Sequence, residues 1–361
     1  MSHQDFDRIW LEDYLACRLG KPVEVRSFEH FTRGTSRQTW FADYLVLGDS
    51  QPCSITLRCD HPAGAGDPTP LDQEYFIYQR LGQTDLPVAA ALWWEDDPAK
   101  TPRPFYIRKQ IDGSWNIPGY ADPDPQFDAV RLSAAKEHIR RLAQIHRLDW
   151  KAHGFDEILP APSDEADAAP AFLRLMVGRL AKSRAEPLPY LLEVAEWLSD
   201  NAPPAPRISL CKGTNGMGEE VFRDGKIVAL SDWEEVIIGD PASDLAMVQG
   251  FTEPIVHDGE TLWDLDRAIE FYRAESGIDV SIENIRYYQL ARLFGRGVMF
   301  AHTASVVAGT PNATIRQSWT VTEVIHVVKR ALGAAMGWFE PVPGARFEEM
   351  NLSVEMEGQG K

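Results

Sequence analysis

The sequence has few cysteines and no long hydrophobic run. Its four cysteines show no Cys-x-x-Cys spacing, which excludes the common zinc-site patterns and gives no sign of a disulfide framework. No stretch approaches the roughly 18 consecutive apolar residues of a membrane-spanning helix, and the amino-terminal segment lacks the apolar core of a signal peptide. We therefore expect a cytoplasmic protein with free thiols and no membrane partner.

The sequence is also short of basic residues. It contains 36 lysines and arginines against 54 aspartates and glutamates, for a net charge of −18. Nucleic-acid binding requires clustered basic residues that neutralise phosphates, so we expect no nucleic acid as a partner. A small anionic ligand needs only a local basic patch and is not excluded. The 361 residues are 44% hydrophobic, which is enough for a large core in more than one lobe.

Hydrophobic periodicity predicts strands mainly in the first third of the chain and helices mainly after it. The predicted helices cover residues 5–19, 71–81, 171–182, 188–199, 262–276, 282–302 and 320–337, with a further helical region from about residue 114. The predicted strands lie within residues 23–46, 54–58, 86–94, 104–113 and 208–210. After Asp244 the chain is predicted to be nearly all helical. Gly295 and Gly297 fall inside one of these helices, which indicates either close helix packing or a pocket wall.

One polar segment, from Ser209 to Asp244, concentrates the candidate chemistry. Its first part is a loop rich in glycine and polar side chains, which contains Lys212, Gly213, Thr214, Asn215, Glu219 and Glu220. A hairpin signal follows, with Asp224-Gly225 between two apolar runs, and then Asp232-Trp233-Glu234. Carboxylates from two loops that one hairpin holds together suit an oxygen-ligand cation such as Mg²⁺. A solvated acidic loop is the alternative, since acidic residues around turns are common.

This segment resembles the catalytic core of the aminoglycoside phosphotransferase and choline kinase-like families, which have the protein-kinase-like fold. Those families show His-Gly-Asp-x-x-x-x-Asn, a hairpin, Asp-Trp-Glu and then Gly-Asp-Pro-x-x-Asp-Leu-Ala. The second half is intact here from Asp232 to Ala246, but Lys-Gly-Thr stands where His-Gly-Asp is usual. The resemblance implies metal ligation by Asp232 and by Glu219, which stands in the Asn position.

The resemblance also implies that the divergent loop is the catalytic loop. Its catalytic candidates are Lys212, Thr214, Asn215 and Asp232. Thr214 stands where the families carry the Asp that accepts the proton of the substrate hydroxyl, and a threonine is no base near neutral pH. Thr214 could donate a hydrogen bond, or act as a nucleophile beside a base. Lys212 could neutralise charge on the transferred group.

A nucleotide site in the first lobe is a further implication of the resemblance. The implied cofactor contacts are Gly34, Thr35, Ser36, Arg58, Glu74, Lys109 and Ile111. The first three occupy the phosphate-covering loop, for which an ordinary hairpin turn is the alternative. Arg58 corresponds to the basic residue that contacts ATP phosphates, and Glu74 is its expected ion-pair partner. The last two lie in the hinge whose backbone binds adenine.

Substrate contacts are predicted on both sides of this loop. The candidates are Glu220, Glu234, Arg292 and Arg296. The two glutamates lie close in sequence to the predicted metal ligands. The two arginines lie, with His302, on a predicted helix that could face the acceptor. For the arginines, an interhelical salt bridge is the alternative.

These features together predict an α+β, two-lobed protein-kinase-like fold. Residues 1–110 would form an amino-terminal lobe with a small antiparallel sheet, residues 111–340 a mostly helical lobe with the substrate pocket, and residues 341–361 a polar tail. The predicted function is an ATP- and Mg²⁺-dependent phosphotransferase that acts on a hydroxyl of a small-molecule substrate. A nucleotide-binding pseudokinase with a regulatory role, and a kinase-fold enzyme with other chemistry, stay open as alternatives. The acceptor and the oligomeric state do not follow from the sequence.

Overall fold

The structure, a computed structural model, describes residues 5–31, 36–62, 69–183, 188–216 and 218–340. Its amino-terminal elements are α1 (Arg8–Leu19), β1 (Val23–Phe31), β2 (Arg37–Val46), β3 (Cys53–Asp60), α2 (Leu71–Leu81), β4 (Ala91–Glu95) and β5 (Phe105–Lys109). The five strands form one antiparallel sheet in the order β1-β2-β3-β5-β4. The predicted small antiparallel sheet is confirmed.

Local sequence signals explain where α1 begins and ends. The Asp7 side chain accepts a hydrogen bond from the backbone N–H of Trp10 at 2.7 Å, and Gly20 adopts a left-handed conformation after the last turn. On the buried face of the helix, the rings of Trp10 and Tyr14 contact Phe105 of β5, with centroids 5.2 and 5.1 Å apart. Aromatic packing therefore fixes α1 against the sheet.

The rest of the chain is mainly helical. Its helices are α3 (Asp128–His146), α4 (Ala168–Lys182), α5 (Pro189–Asp200), α6 (Ala242–Leu245), α7 (Gln249–Thr252), α8 (Leu265–Ser276), α9 (Ile282–Ala308), α10 (Ile315–Trp319) and α11 (Ile325–Ala335). Three antiparallel strand pairs lie among them: β6 (Ser209–Cys211) with β9 (Ile237–Gly239), β7 (Glu220–Arg223) with β8 (Lys226–Leu230), and β10 (Ile255–His257) with β11 (Glu260–Trp263). The fold is α+β with two lobes, as predicted. Within the described ranges, no helix is both long and apolar enough to cross a bilayer.

Two predicted elements begin later than the sequence pattern indicates. The strand predicted from residue 86 begins at Ala91, because the backbone before it turns to the other lobe, where the carbonyl oxygen of Pro87 accepts a hydrogen bond from Leu230 N at 2.7 Å. The helical region predicted from residue 114 begins as an α-helix only at Asp128. Three prolines between residues 118 and 125 explain the delay, since proline breaks helix interiors.

The prediction that the chain after Asp244 is nearly all helical was wrong in one place. Strands β10 and β11 form a hairpin whose turn residues, Asp258 and Gly259, have φ values of 48° and 81°. Asp-Gly at such a turn is the same signal that correctly predicted the hairpin at Asp224-Gly225. The hairpin could therefore have been found from the sequence.

Helix α9 is the central helix of the second lobe. It runs for 27 residues from its N-cap Ser281, whose side chain accepts a hydrogen bond from the N–H of Asn284 at 3.0 Å. A Cβ atom added to Gly297 would lie 2.9 Å from Cδ2 of Leu191 on α5, so α9 and α5 approach closely at this point. The close helix packing predicted from the glycines in this helix is confirmed.

Gly297→Ala is expected to lower the free energy of unfolding by about 1 kcal/mol or more, because the buried Leu191 must shift to admit the methyl group. Gly178→Ala is the matched control, since Gly178 lies within α4 with open space beside its Cα. That control should raise the free energy of unfolding by roughly 0.5–1 kcal/mol. Denaturant titration measures both, and equal effects of the two substitutions would contradict the packing described here.

His138 lies on the buried face of α3, behind the β7–β8 hairpin. Its ring stacks on Phe251 with 3.9 Å between the centroids, and Nδ1 lies 3.7 Å from Oε2 of Glu220. Neither ring nitrogen has a hydrogen-bond partner within the described part of the chain. Burial lowers the pKa of His138 to about 3, and the positive charge of Lys212 acts in the same direction. The imidazole is therefore neutral in the folded protein.

Below pH 6.5, His138 should reduce the free energy of unfolding by about 1.4 kcal/mol per pH unit. The sign is destabilising because the unfolded chain binds a proton on this imidazole that the folded chain excludes. His138→Phe keeps an aromatic ring on Phe251 and removes the titration, so its stability should fall less steeply between pH 6.5 and about pH 4.5. His153→Phe, at a partly exposed position, is the control. Parallel pH profiles for wild type and His138→Phe would refute this assignment.

Candidate active site

The carboxylate of Asp244 fixes the start of the loop that follows β6. It accepts hydrogen bonds from the backbone N–H of Lys212 at 2.7 Å and of Gly213 at 2.8 Å, and Nε2 of His146 lies 3.0 Å away. The Tyr272 hydroxyl lies 2.8 Å from the other ring nitrogen. Burial raises the pKa of the Asp244 carboxyl, but the bonds from His146 and the loop backbone outweigh it and hold the pKa below its usual range. Both ring nitrogens of the buried His146 thus have hydrogen-bond partners, so this histidine has a structural role in the core.

Lys212 is completely buried in this loop. Its Nζ donates to the carbonyl oxygen of Thr214, and it lies 3.4 Å from Oε1 of Glu220 and 3.9 Å from Oε2 of Glu219. Burial disfavours the ammonium, but the two glutamates more than offset this and raise the pKa of Lys212 above its usual value. Lys212 therefore places a fixed positive charge among the carboxylates of the loop.

Thr214 and Asn215 follow directly. The Thr214 hydroxyl donates to the carbonyl oxygen of Asp232 and lies 3.3 Å from Nζ of Lys212, so the geometry favours a hydrogen-bonding role over a nucleophilic one. Asn215 is 1% exposed, and neither polar atom of its side chain has a partner among the described residues. A buried amide without partners is costly, which makes Asn215 a candidate for contact with a bound ligand.

Asp232, at the end of the β7–β8 hairpin, has an unusual backbone. Its φ is 59°, in the left-handed region that residues other than glycine rarely adopt. Its Oδ1 is buried without a hydrogen-bond partner in the described structure. Burial and the nearby charge of Glu219 raise the pKa of Asp232 to about 6, although Arg58 and Lys212 oppose the shift. A strained, unsatisfied carboxylate is typical of a residue that is held for a ligand.

The metal site predicted at Glu219 and Asp232 agrees with this geometry. Both side chains line one cavity, and the charge of Glu219 raises the pKa of Asp232, so the two carboxylates are close enough to repel. Oε2 of Glu219 accepts a hydrogen bond from Gly216 N at 3.1 Å, and its side chain is 27% exposed. The residues fit Mg²⁺, which prefers one or two carboxylates together with phosphate oxygens. The metal role stays a prediction.

A second group of potential metal ligands lies below the loop. His146, Cys211 and Asp244 offer ligand atoms within 4.8 Å of one another, and all three are buried. The Cys211 thiol, however, donates to the carbonyl oxygen of Asp240 at 3.3 Å, and Asp244 is occupied by the loop backbone. Burial also raises the pKa of the Cys211 thiol well above its usual value. This group therefore supports the loop and is poorly suited to binding a cation.

Arg58 forms the ion pair with Glu74 that the sequence predicts. Its Nη1 contacts Oε1 of Glu74, and its Nη2 contacts Oε1 of Glu234. The Tyr106 hydroxyl donates to the same Glu74 oxygen at 2.8 Å. Burial raises the pKa of Glu74, but Arg58 and then Arg37 outweigh it and keep the pKa below its usual range. Glu234, predicted to contact substrate, pairs with Arg58 and also lines the cavity at Asp232, so its substrate role stays a prediction.

Arg37 is a site residue that the sequence analysis missed. Its Nε lies 2.8 Å from Oε2 of Glu74, its Nη1 contacts Asp60, and its Nη2 donates to the carbonyl oxygen of Thr69. The residue is 2% exposed, so this guanidinium is held entirely by protein groups. The sequence feature that could have identified Arg37 was its position at the start of a strand, directly after the predicted phosphate-covering loop. Gly34 and Thr35 of that loop lie outside the described residues.

Two cavities meet beside the loop. The first, of about 280 Å³, lies between the sheet, the segment after β5 and the β7–β8 hairpin. It is lined by Phe41, Thr56, Ala89, Arg108, Lys109, Gln110, Ile111, Gly113, Trp115, Gly218, Glu219, Glu220, Val221, Ala229 and Ser231. The structure thus places the predicted hinge contacts Lys109 and Ile111 on a cavity wall. We call this space the cleft cavity.

The second cavity, of about 170 Å³, lies on the other side of Glu219, and we call it the acceptor cavity. It is lined by Ser36, Thr214, Glu219, Asp232, Glu234, Glu235, Arg296, Met299, Phe300, Thr303, Gln317 and Thr320. Glu219 is thus a wall of both cavities. Glu220, also predicted to contact substrate, instead lines the cleft cavity and is 1% exposed. Burial raises its pKa to about 7, although Lys212 opposes the shift.

Glu235 joins the two predicted arginines of α9. Nη2 of Arg292 contacts Glu235 and donates to the carbonyl oxygen of Gly213 at 2.6 Å, and Nη1 of Arg296 lies 2.9 Å from Oε1 of Glu235. Arg292 is 5% exposed and supports the loop from behind, whereas Arg296 lines the acceptor cavity. Both arginines therefore form salt bridges, but not the interhelical ones given as the alternative, because Glu235 lies in the turn between β8 and β9.

Comparison with solved structures identifies the fold. The chain is similar to a putative aminoglycoside phosphotransferase from Ralstonia eutropha JMP134, with a TM-score of 0.64 and 19% identity over 90% of this chain and 96% of that one. It is also similar to a thermostable mutant of aminoglycoside phosphotransferase APH(4)-Ia in a ternary complex with AMP-PNP and hygromycin B, with a TM-score of 0.51 and 13% identity over 89% and 97%. These similarities show the protein-kinase-like fold.

Comparison at the sequence level identifies the family. The chain is 25% identical over 341 residues to acyl-CoA dehydrogenase family member 10 of Mus musculus. This alignment covers 87% of this chain and 30% of the mouse protein. It therefore spans about a third of the length of such curated relatives. The profile of the phosphotransferase enzyme family matches residues 28–274, more than half of the chain. With its two lobes and its intact Asp232 segment, this chain belongs to the phosphotransferase enzyme family.

Proposed function

We propose that this chain is an ATP- and Mg²⁺-dependent phosphotransferase that acts on a hydroxyl group of a small molecule. One observation carries the proposal: Glu219 lines both the cleft cavity and the acceptor cavity, and Asp232 lies beside it. Two cavities that share a carboxylate, with a second carboxylate beside it, suit a reaction between two bound molecules, since catalysis by this fold depends mainly on positioning and charge neutralisation.

ATP would occupy the cleft cavity, with its adenine against the backbone of residues 109–111 and its phosphates directed toward Glu219. Arg58 would exchange its contact with Glu234 for phosphate oxygens while Nη1 stays on Glu74, because a guanidinium presents several donors in one plane. The complex of a similarly folded phosphotransferase with AMP-PNP supports a nucleotide as the ligand. Glu219 and Asp232 would hold Mg²⁺, which when bound neutralises charge on the phosphate oxygens.

In the proposed reaction, the acceptor hydroxyl oxygen bonds to the γ-phosphorus as the bond from that phosphorus to the bridging oxygen breaks. ADP leaves with the electron pair of that bond. The hydroxyl proton passes to an oxygen of the transferred phosphoryl group, because Thr214 is a donor to the Asp232 carbonyl and cannot accept it. Lys212 supplies a positive charge beneath the reacting groups. Loss of a general base costs roughly 10²–10⁴ in rate, so we propose a slow enzyme.

Nucleotide binding without transfer is the second candidate function. One observation favours it: the position of the proton-accepting Asp is held by Thr214, whose hydroxyl is already bonded within the protein. The two candidates differ in whether phosphate leaves ATP, and they agree that ATP and Mg²⁺ bind.

Asp232→Asn should weaken ATP binding about tenfold or more when Mg²⁺ is present and should leave metal-free binding unchanged or slightly tighter. Asparagine tolerates positive φ, so the backbone at this position is preserved. Asp224→Asn is the control, because Asp224 has a similar φ of 52° and lies in an exposed turn. Calorimetric titration with ATP, in Mg²⁺ and in chelator, measures the difference. An equal loss in both buffers would exclude Asp232 as a metal ligand.

Thr214→Asp should increase the release of labelled phosphate from γ-labelled ATP by roughly 10²-fold, because it restores a carboxylate at the proton-accepting position. Water is the acceptor in this assay, so no acceptor has to be known. Thr214→Asn is the matched control, since it has the same shape without the charge, and it should release phosphate at the wild-type rate. If Thr214→Asp binds ATP normally and releases no more phosphate than Thr214→Asn, binding without transfer becomes the better assignment.

A further inference from the structure

A cavity of about 540 Å³ lies between α4 and β9, and of the residues predicted to face the site only His302 lines it. We call it the α4 cavity. Its walls are mostly apolar, with Phe172 and Leu175 from α4, Ile237 from β9, Val236, and Leu159 from the segment before α4. Its volume lies within the range of roughly 300–1,000 Å³ that small-molecule sites occupy. The site is therefore large enough for a molecule with a substantial apolar part.

The ionisable groups around the α4 cavity are all basic. Along α4, Ala171, Leu175, Arg179 and Lys182 recur at helical spacing and line the cavity, so the face changes from apolar to basic toward the end of the helix. Arg174 and His302 also line it, and no described lining residue is acidic. Basic residues in a last helical turn complement the helix dipole, but that effect does not exclude acidic neighbours. In a chain with a net charge of −18, this is a local inversion of charge.

Between the α4 cavity and the acceptor cavity lies a small space of about 30 Å³ that shares lining residues with both, and Arg179 lines this space and the α4 cavity. Together with Phe172 it lines the small space, which is also lined by Glu235, Arg292 and Arg296. Glu235 and Arg296 in turn line the acceptor cavity. Burial disfavours the Glu235 carboxylate, but Arg296, Arg292 and Arg179 outweigh it and hold its pKa below the usual range. Three guanidinium groups thus surround one carboxylate between the two cavities, which disfavours cations and favours anions there.

We infer that the α4 cavity binds the body of the acceptor, and that the acceptor is an apolar organic anion that carries a hydroxyl group. Its apolar part would lie against Phe172 and Ile237, its anionic group at Arg179 and Lys182, and its hydroxyl in the acceptor cavity. This inference rests on the proposed phosphotransferase function, since it names the substrate class of the same site. The same charges disfavour a polycationic acceptor in the α4 cavity.

The test is calorimetric titration of the full chain with octanoate, octyl phosphate, octylammonium and butyrate. Either eight-carbon anion should bind at least about tenfold more tightly than octylammonium, and affinity should rise roughly fourfold per added methylene from butyrate to octanoate. Whichever of the two anions binds more tightly shows whether the site prefers a carboxylate or a phosphate group. Octylammonium binding as tightly as both anions would overturn the inference.

Two pairs of variants locate the binding. Ala171→Phe fills the α4 cavity and should weaken octanoate binding about tenfold or more, whereas Ala274→Phe, exposed on α8, should not change it. Arg179→Ala should weaken both anions, whereas Arg267→Ala, exposed on α8, should weaken neither. Unchanged octanoate binding in Ala171→Phe would overturn the inferred site.

Transfer from γ-labelled ATP to the positional isomers of hydroxyoctanoate tests the acceptor role. Label should reach at least one isomer, and Ala171→Phe should reduce this transfer without changing ATP affinity. Octanoate binding without transfer to any isomer, in a chain that releases phosphate from ATP, would overturn the acceptor role alone. Failure to bind ATP would count against the proposed function and not against the anion site.

Discussion

The buried carboxylate of Asp244 is the interaction on which the site depends. It accepts bonds from two successive backbone N–H groups and lies against His146, so the loop cannot move without leaving a buried charge unpaired. The loop also packs closely against the segment that contains Asp232 and Glu235, since a Cβ atom on Gly213 would lie 2.2 Å from the carbonyl oxygen of Glu235. With Thr214 bonded to Asp232, the two segments that carry the carboxylates are fixed as one unit.

The three departures from the family pattern are linked in space. Lys212 and Thr214 replace the His and Asp, and Nζ of Lys212 contacts both oxygens of Thr214. The third replacement, Glu219 for Asn, places its carboxylate 3.9 Å from the same Nζ. The ammonium added at Lys212 and the carboxylate added at Glu219 therefore lie close together, while Thr214 replaces a carboxylate with a hydroxyl. The three replacements thus form one connected polar cluster.

Local signals predicted much of the fold, because turn chemistry and helical periodicity act over a few residues. Helix α2 was predicted at the residues it occupies, and the Asp224-Gly225 turn lies where its sequence placed it. The failures involve contacts that only the folded chain creates. Pro87 pairs with a strand from the other lobe, and Arg37 reaches Glu74 across the sheet lobe. The family pattern predicted Glu74 as a partner for Arg58, but neither spacing nor periodicity reports which distant charges complete such a network.

Because Glu219 forms a wall of both the cleft cavity and the acceptor cavity, a ligand in either one acts on the same charge. A ligand that neutralises the Glu219 carboxylate in one cavity also removes that negative charge from the wall of the other cavity. If the proposed nucleotide and acceptor bind there, thermodynamic linkage requires reciprocity: whatever factor the nucleotide applies to the affinity for the acceptor, the acceptor must apply to the affinity for the nucleotide. One shared side chain thus makes the occupancies of two neighbouring compartments interdependent without any movement of the lobes.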